Sequence, residues 1–150
     1  MTLEFVEHRG EAAVKRSWTP FPSSDNYENP HWWSSASGAI GDPWFVQVLE
    51  DGVEVARVQF DERGGVNPEY TDVPELGDER LKVQFIEVAV VARGRHVGTR
   101  VVQGLMARHP ERRLFAYSEG ADHFWGSLSG LERFDHPSGL HQPLFIQPPR

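Results

Sequence analysis

The sequence of 150 residues contains no cysteine, which excludes disulfide bonds, thiolate metal sites and a cysteine nucleophile. Its seven histidines are scattered, and no pair has a spacing typical of a zinc site, so we expect no metal. The N-terminus lacks the apolar stretch of an export signal, and the longest apolar run, Phe85–Ala92, is interrupted by Glu87. We therefore expect a cytoplasmic protein that has no signal peptide and does not act at a membrane.

Two common nucleotide-binding motifs are also missing. Gly94 and Gly98 do not follow the G-x-G-x-x-G spacing, and Thr99-Arg100 stands where a Walker motif would need Lys followed by Ser or Thr. The net charge is −7, yet residues 93–113 hold six arginines and a single glutamate. One basic segment in an acidic chain indicates a small anionic ligand and argues against nucleic acid. The alternative is a solvated basic helix face.

The chain is long enough for one domain with its own core, spanning residues 1–150. Asp51-Gly52 between two apolar runs predicts a β-hairpin. The predicted elements are a short strand and a helical turn within 2–16, strands Trp44–Leu49 and Val53–Phe60, a central strand Lys82–Val91, a helix Gly98–Arg108, a strand Arg113–Ser118, a helix Ala121–Leu128 and a strand Leu144–Ile146. This order predicts a mixed α/β sheet with helices on both faces.

Residues 18–43, which we call the aromatic segment, are the least regular part of the sequence. Prolines, serines and asparagines alternate there with five aromatic residues. A long irregular segment in a compact domain is often a lid over a binding site. The alternative is that these aromatic side chains fill the edge of the core.

The strongest functional signal lies between the central strand and the helix that follows it. Backbone N–H groups at such a turn, together with the helix dipole, favour an anion, and three arginines add charged donors. This candidate phosphate site consists of Arg93, Gly94, Arg95, His96, Val97, Gly98, Thr99 and Arg100. For Arg100, a solvated helix position is an equally good interpretation.

Two motifs in this order define a family resemblance. The loop Arg93-x-x-His96-x-Gly98 and the segment Ala121-x-x-Phe124-Trp125-x-x-Leu128 resemble the pyrophosphate loop and the following helix of GCN5-related N-acetyltransferases. The resemblance covers roughly residues 44–147. It implies the mixed α/β acyl-CoA N-acyltransferase fold and acetyl-CoA as co-substrate. The acetyl group would pass directly to a primary amine in a ternary complex, with the cofactor's pantetheine between the strands Lys82–Val91 and Arg113–Ser118.

The resemblance also implies roles for individual residues. A backbone N–H around Val90 or Val91 would stabilise the oxyanion. Glu87, the only charged residue in the interior of the central strand, is the candidate base; the alternative is that it pairs with an arginine. Trp125 occupies the place of the family's usual acid, a tyrosine, so Tyr117 is the substitute candidate, against the alternative of a strand tyrosine with a solvated hydroxyl. The remaining cofactor candidates are Ser118, at the position of a family asparagine, and Phe124.

The acid surplus outside the arginine-rich segment, together with Tyr27, Trp32 and Trp33 near the proposed lid, favours a cationic amine as acceptor, either a small molecule or a protein. A homodimer is an expected assembly, because dimers are common in the family. The rival hypothesis is a non-catalytic module of the same fold that binds CoA or an acyl-CoA as a regulator or partner protein. A weaker third hypothesis is that the basic turn binds another anion, such as a nucleotide.

Overall fold

The computed structural model describes residues 2–12, 17–36 and 41–149. The strands are β1 Leu3–Arg9, β2 Trp44–Glu50, β3 Val53–Asp61, β4 Arg80–Val88, β5 Arg113–Tyr117, β6 Glu132–Phe134 and β7 Leu144–Ile146. The helices are α1 Pro30–Trp33, α2 Val97–Arg108 and α3 Asp122–Ser127. Within the described ranges, no helix is long and apolar enough to cross a membrane.

The strands form one seven-stranded sheet in the order β1-β2-β3-β4-β5-β7-β6. Neighbouring strands run antiparallel except β4 and β5, which are parallel. This arrangement confirms the predicted mixed α/β sheet, and β4 is its central strand. The predicted hairpin is present as well: Asp51 and Gly52 both have positive φ, 52° and 79°, as a type I′ turn requires.

Strand register defines two faces of the sheet. Phe45, Gln59 and Phe85 pair in register and therefore point to one side, on which Trp33 of α1 packs edge-on against Phe45; we call this the α1 face. Their neighbours point to the other side, the α2 face, where Val88 lies close to Gly98 of α2. Trp125 of α3 stacks on Phe145 on that same face. Helices thus cover both faces, as predicted.

The aromatic segment contributes to the core and also to an open cleft. Phe21, Tyr27 and Trp33 are buried in the main hydrophobic cluster, which agrees with the core-edge interpretation. Trp32 is only partly buried and lines the cleft described below. Residues 37–40 of this segment, and residues 13–16 of the predicted N-terminal helical turn, lie outside the described part of the chain.

Two features of the structure differ from the sequence prediction. β4 ends at Val88 instead of Val91, because the chain turns into a short 3₁₀ helix at Val90–Ala92. The apolar run continues past the strand because Ala89 and Ala92 are buried beneath that turn. β6 was not predicted, since it has only three residues and two of them are exposed.

Candidate active site

A cleft opens in the middle of the sheet where β4 and β5 separate. The two strands pair for three residues only, Arg80–Lys82 with Arg113–Phe115. Just beyond, the β3–β4 register shifts by one residue at Gln84, the signature of a β-bulge, which bends the strand. The bulge and the loss of pairing leave a cleft of about 360 Å³ between the two strands.

The cleft connects the two faces of the sheet. On the α2 face it is lined by Val88, Gly98 and Phe124, and on the α1 face by Trp32 and Tyr117 among others. Gly98 keeps the cleft open on the α2 face, because a Cβ at this position would lie 2.8 Å from the ring of Phe124. A long ligand can therefore enter from the α2 face and present its end to the α1 face.

The predicted phosphate loop forms the rim of the cleft on the α2 face. Gly94 and His96 both have positive φ, 82° and 57°, so the loop turns sharply into α2. Histidine tolerates this region better than most residues, at a modest cost. The first helical hydrogen bond runs from Arg100 N–H to His96 O, so the N–H groups of residues 97–99 precede the helical hydrogen-bond pattern. These groups and the positive end of the helix dipole form a suitable place for an anion.

The three arginines of the loop have different surroundings. Arg93 lines the cleft and forms an ion pair of 2.7 Å with Glu28. Arg95 and Arg100 both pair with the carboxylate of Glu50, at 3.0 and 2.7 Å, at the end of β2. The hydrogen bond from Arg100 is the main reason that the pKa of Glu50 lies below its usual value. Only Arg93 of the three lines the cleft, and its guanidinium lies beside the carboxylates of Glu28 and Glu87 on the α1 face.

Glu87 lies in the cleft wall and is buried, but its carboxylate is extensively hydrogen bonded. It accepts bonds from the backbone N–H groups of Glu28 and Asn29, at 2.7 and 3.3 Å, and from the indole N–H of Trp33 at 2.9 Å. Arg93 adds an ion pair of 3.8 Å. These contacts join β4 to the aromatic segment, and they satisfy much of the hydrogen-bonding capacity of the predicted base.

Tyr117, the predicted acid, lies at the end of β5 and lines the cleft. Its hydroxyl oxygen accepts a hydrogen bond of 2.7 Å from the backbone N–H of Asn67. Burial raises the pKa of Tyr117 above its ordinary value, although the bond from Asn67 opposes the shift. The phenol therefore stays protonated at neutral pH and keeps one hydrogen that it can donate.

The backbone donors that face the cleft differ from the predicted ones. Val90 N–H donates to the carbonyl oxygen of Asn26 at 2.8 Å, and Val91 lies on the exposed turn after the strand. Ala89 N–H donates towards β3, to Val55 O. Because successive N–H groups of a strand point to opposite edges, those of Val88 and Ile86 point away from β3, towards the cleft. The predicted strand extended to Val91 instead of Val88, so these two donors were not identified from the sequence.

Among the remaining candidates, Phe124 lines the cleft and Ser118 does not. The Ser118 hydroxyl is buried; it donates to Asp122 at 2.6 Å and accepts from Ala121 N–H at 2.9 Å. It therefore supports the start of α3. One contribution that sequence reasoning did not identify is the pair Trp32 and Phe85, whose rings stack at 4.5 Å in the cleft wall. The aromatic composition of residues 18–43 was the available signal.

Comparison with known proteins places this geometry in a fold class. No protein-family model matches the chain, and no curated protein matches it in sequence. Solved structures do match. One is a structure of histone acetyltransferase HPA2 and related acetyltransferase from Corynebacterium glutamicum, which has 15% sequence identity and a TM-score of 0.52. The match covers 72% of this chain and 65% of the neighbour's chain. The structure of YhhK from E. coli bound to coenzyme A has 13% sequence identity, and the match covers 98% of both chains at a TM-score of 0.52.

An aminoglycoside acetyltransferase, AAC(6')-Ib, in complex with coenzyme A and kanamycin, matches with 14% identity over 69% of this chain and 64% of its own, at a TM-score of 0.51. The chain spans just under two thirds of the length of the first structural neighbours. The chain therefore has the fold of GCN5-related N-acetyltransferases, as the two motifs implied. At these identities the similarity establishes the fold.

Proposed function

We propose that the chain is an acetyl-CoA-dependent N-acetyltransferase that transfers the acetyl group directly to a primary amine in a ternary complex. The observation that supports this most strongly is the separation of β4 and β5 after Lys82. It produces a cleft that runs from the N-terminus of α2, suited to a pyrophosphate, to an aromatic wall on the opposite face. Structural neighbours that hold coenzyme A have the same fold.

The residues in the cleft have assignable roles in such a transfer. The N–H groups of residues 97–99 would hold the pyrophosphate, and Phe124 would contact the pantetheine. Acetyl-CoA supplies the activated thioester. The amine nitrogen forms a bond to the acetyl carbon as the carbon–sulfur bond breaks, and N–H groups of Val88 or Ile86 stabilise the oxyanion.

Two protons must move in this reaction. The acceptor ammonium has to lose one before its nitrogen can attack, and Glu87 or a water molecule beside it is the candidate base. Tyr117 would donate a proton to the departing thiolate. A thiolate can also leave as an anion near neutral pH, so this step depends less on the protein.

The first test is a calorimetric titration of the protein with acetyl-CoA, with dephospho-CoA and ATP as controls. We expect saturable binding of acetyl-CoA and weak or no binding of ATP. An acceptor screen that follows the release of free thiol then measures transfer. The absence of binding at millimolar acetyl-CoA would contradict the proposal.

The rival function, a module that binds CoA without turnover, is favoured by one specific observation. The carboxylate of Glu87 is already engaged by three N–H donors of the aromatic segment. Under this alternative, acetyl-CoA binds with similar strength, while no amine in the screen releases thiol above the rate of spontaneous hydrolysis.

A further inference from the structure

A second depression of about 420 Å³ lies beside the cleft on the α1 face. It is lined by Gly65, Val66, Asn67, Tyr70, Lys82, Tyr117, His141 and Gln142. Tyr117 belongs to the walls of both the depression and the cleft. Lys82 and Phe115 pair in register at the last position before β4 and β5 separate, so the depression begins where the cleft ends.

The depression is rich in hydrogen-bond donors. Lys82 places its ammonium 5.3 Å from the ring centre of Tyr117. The Asn67 side-chain amide adds two N–H groups. Although the chain has a net charge of −7, the described lining of this depression contains no Asp or Glu.

Lys82 has no counter-ion among the described residues. Its cross-strand neighbour Asp61 is buried, with Oδ1 lacking a hydrogen-bond partner, and does not reach ion-pairing distance of the ammonium. Gly64 packs against both side chains, since a Cβ there would lie 2.7 Å from Lys82 Cδ and 3.1 Å from Asp61 Oδ2. The stem of Lys82 is thus held in place while its charged end faces the depression. A half-buried cation beside neutral donors is suited to an oxyanion.

We infer that this depression binds the carboxylate of the acetyl acceptor, and that the acceptor is a primary amine with a carboxylate a few bonds from its nitrogen, as in an amino acid. This inference rests on the proposed function. The ammonium end of the acceptor lies towards Tyr117 and the cleft, where the thioester is attacked. Its carboxylate pairs with Lys82, and an apolar side chain packs against the stacked rings of Trp32 and Phe85.

The test compares acceptors with and without this charge, at equal concentrations of the neutral amine, because the carboxamide also lowers the pKa of the amine. Glycine, β-alanine and L-phenylalanine are each assayed against their carboxamides, with acetyl-CoA saturating and thiol release as the readout. We expect at least one acid to exceed its amide about tenfold to a hundredfold in kcat/KM, the range of a lost charge-assisted hydrogen bond. Lys82→Met should remove this preference and leave the amide rates within about twofold, while Lys82→Arg should retain most of it. Arg108→Met, a cation at the far end of α2, is the matched control.

A second readout does not require turnover. The chain has only two lysines, Lys15 and Lys82, so reductive methylation with ¹³C, which preserves the charge, gives a Lys82 signal that Lys82→Arg identifies. We expect the acids to shift this signal in a saturable way, with or without CoA, and the amides to leave it unchanged.

The outcomes separate the two proposals. If acetyl-CoA is bound and amines are acetylated, but acids and amides react equally well, the carboxylate site is wrong and the proposed function stands. If acetyl-CoA does not bind, the proposed function is wrong, and the Lys82 signal still decides whether the depression binds carboxylates. A Lys82 signal that no acid in the panel shifts overturns the inference.

Discussion

Glu87 shows how one side chain can join the central strand to the segment that covers it. Both of its carboxylate oxygens accept hydrogen bonds from this segment. Oε2 accepts from the backbone N–H groups of Glu28 and Asn29, and Oε1 accepts from the indole N–H of Trp33. A buried carboxylate is tolerated when donors of this kind surround it. The position is therefore explained by structure alone, and a catalytic role requires separate evidence.

Glu87→Gln tests the two roles of this residue. The amide offers only one acceptor oxygen, so either the two backbone N–H groups or the indole must face an NH₂ group. We expect the free energy of unfolding in urea to fall by about 1–3 kcal/mol. Glu28→Gln, which changes an exposed carboxylate paired with Arg93, should cost less than about 1 kcal/mol. Unchanged stability together with a loss of the acidic limb of the pH–rate profile would instead identify Glu87 as the base.

Tyr117→Phe removes the candidate acid and keeps the ring. Because burial raises the pKa of Tyr117, its proton is present throughout the neutral range, and the activity it supports should fall only above pH 10. We expect kcat to fall at least about tenfold in the variant, with the affinity for acetyl-CoA in calorimetry unchanged. If kcat and its alkaline limb both stay as in the wild type, the thiolate leaves without this acid.

At the scale of elements, the turn between β4 and α2 combines two left-handed residues, Gly94 and His96. A non-glycine residue in this region costs roughly 1 kcal/mol or more, and histidine is among the more tolerant. His96→Gly removes this strain, so we expect the free energy of unfolding to rise, by up to about 1 kcal/mol. Acetyl-CoA affinity should be retained or increased. Gly94→Ala, at φ 82°, is the opposite control and should lose stability. A clear loss of affinity in His96→Gly would mean that the imidazole itself binds the cofactor.

The start of α2 determines how wide the cleft is on its own face. A methyl group at Gly98 would lie 2.8 Å from Cε1 of Phe124 and 3.5 Å from Cγ2 of Val88. We expect Gly98→Ala to push Phe124 into the cleft and weaken acetyl-CoA binding about tenfold in calorimetry, with little change in fold by circular dichroism. Gly126→Ala, in α3, adds the same methyl group in open space and should leave binding unchanged. Equal affinity in both variants would show that the cofactor does not pass between these residues.

Local sequence signals predicted the elements that depend on local chemistry. Asp51-Gly52 specified the β2–β3 hairpin, because both residues accept positive φ. The buried residues Val101, Val102 and Leu105 of α2 recur at helical spacing, which is a local signal for the predicted helix. The predicted end of β4 was wrong because the apolar run, like the burial, continues into the 3₁₀ turn. β6 was missed because three residues are too few to give a periodic signal.

The site was predictable only in part, for a related reason. The loop Arg93–Arg100 and the Phe124 helix were found because they are contiguous motifs. Contacts between distant parts of the chain were not, because they depend on the sheet register: Glu50 with Arg95 and Arg100, Glu87 with Trp33, and Asn67 with Tyr117. These contacts decide which predicted groups remain available for a ligand.

At the scale of the whole molecule, the proposed site spans both faces of the sheet. The α2 face supplies the backbone N–H groups at the start of α2, and the α1 face supplies Lys82 and the aromatic wall. All three loop arginines are ion-paired, Arg95 and Arg100 with Glu50, and Arg93 with Glu28 and Glu87, so the positive charge counted in the sequence overstates what faces the cleft. A charge count along the chain therefore does not show which charges face the cleft.

Burial of the tyrosine side chains gives the molecule a property that can be tested without any ligand. Burial raises the pKa of all three tyrosines of the chain: Tyr27 most strongly, where the carboxylate of Glu54 adds to the effect, and also Tyr70 and Tyr117. In the unfolded chain each ionises near pH 10, whereas the native state retains the protons. Their contribution to stability is thus complete below about pH 10 and is lost as the pH rises above it, by up to about 1.4 kcal/mol per pH unit for each tyrosine.

Urea unfolding at intervals between pH 8 and pH 11.5 measures this loss, and Tyr27→Phe identifies its largest source. The variant loses the hydrogen bond of 3.1 Å from the phenol to Glu54, so at pH 8 we expect it to be less stable than the wild type by about 1–3 kcal/mol. Because phenylalanine does not ionise in the unfolded chain, its stability should then decline less steeply above pH 10, and the two curves should converge. Parallel curves would show that Tyr27 ionises as readily in the native protein as in the unfolded chain, and would contradict the effect expected from its burial and from the neighbouring carboxylate of Glu54.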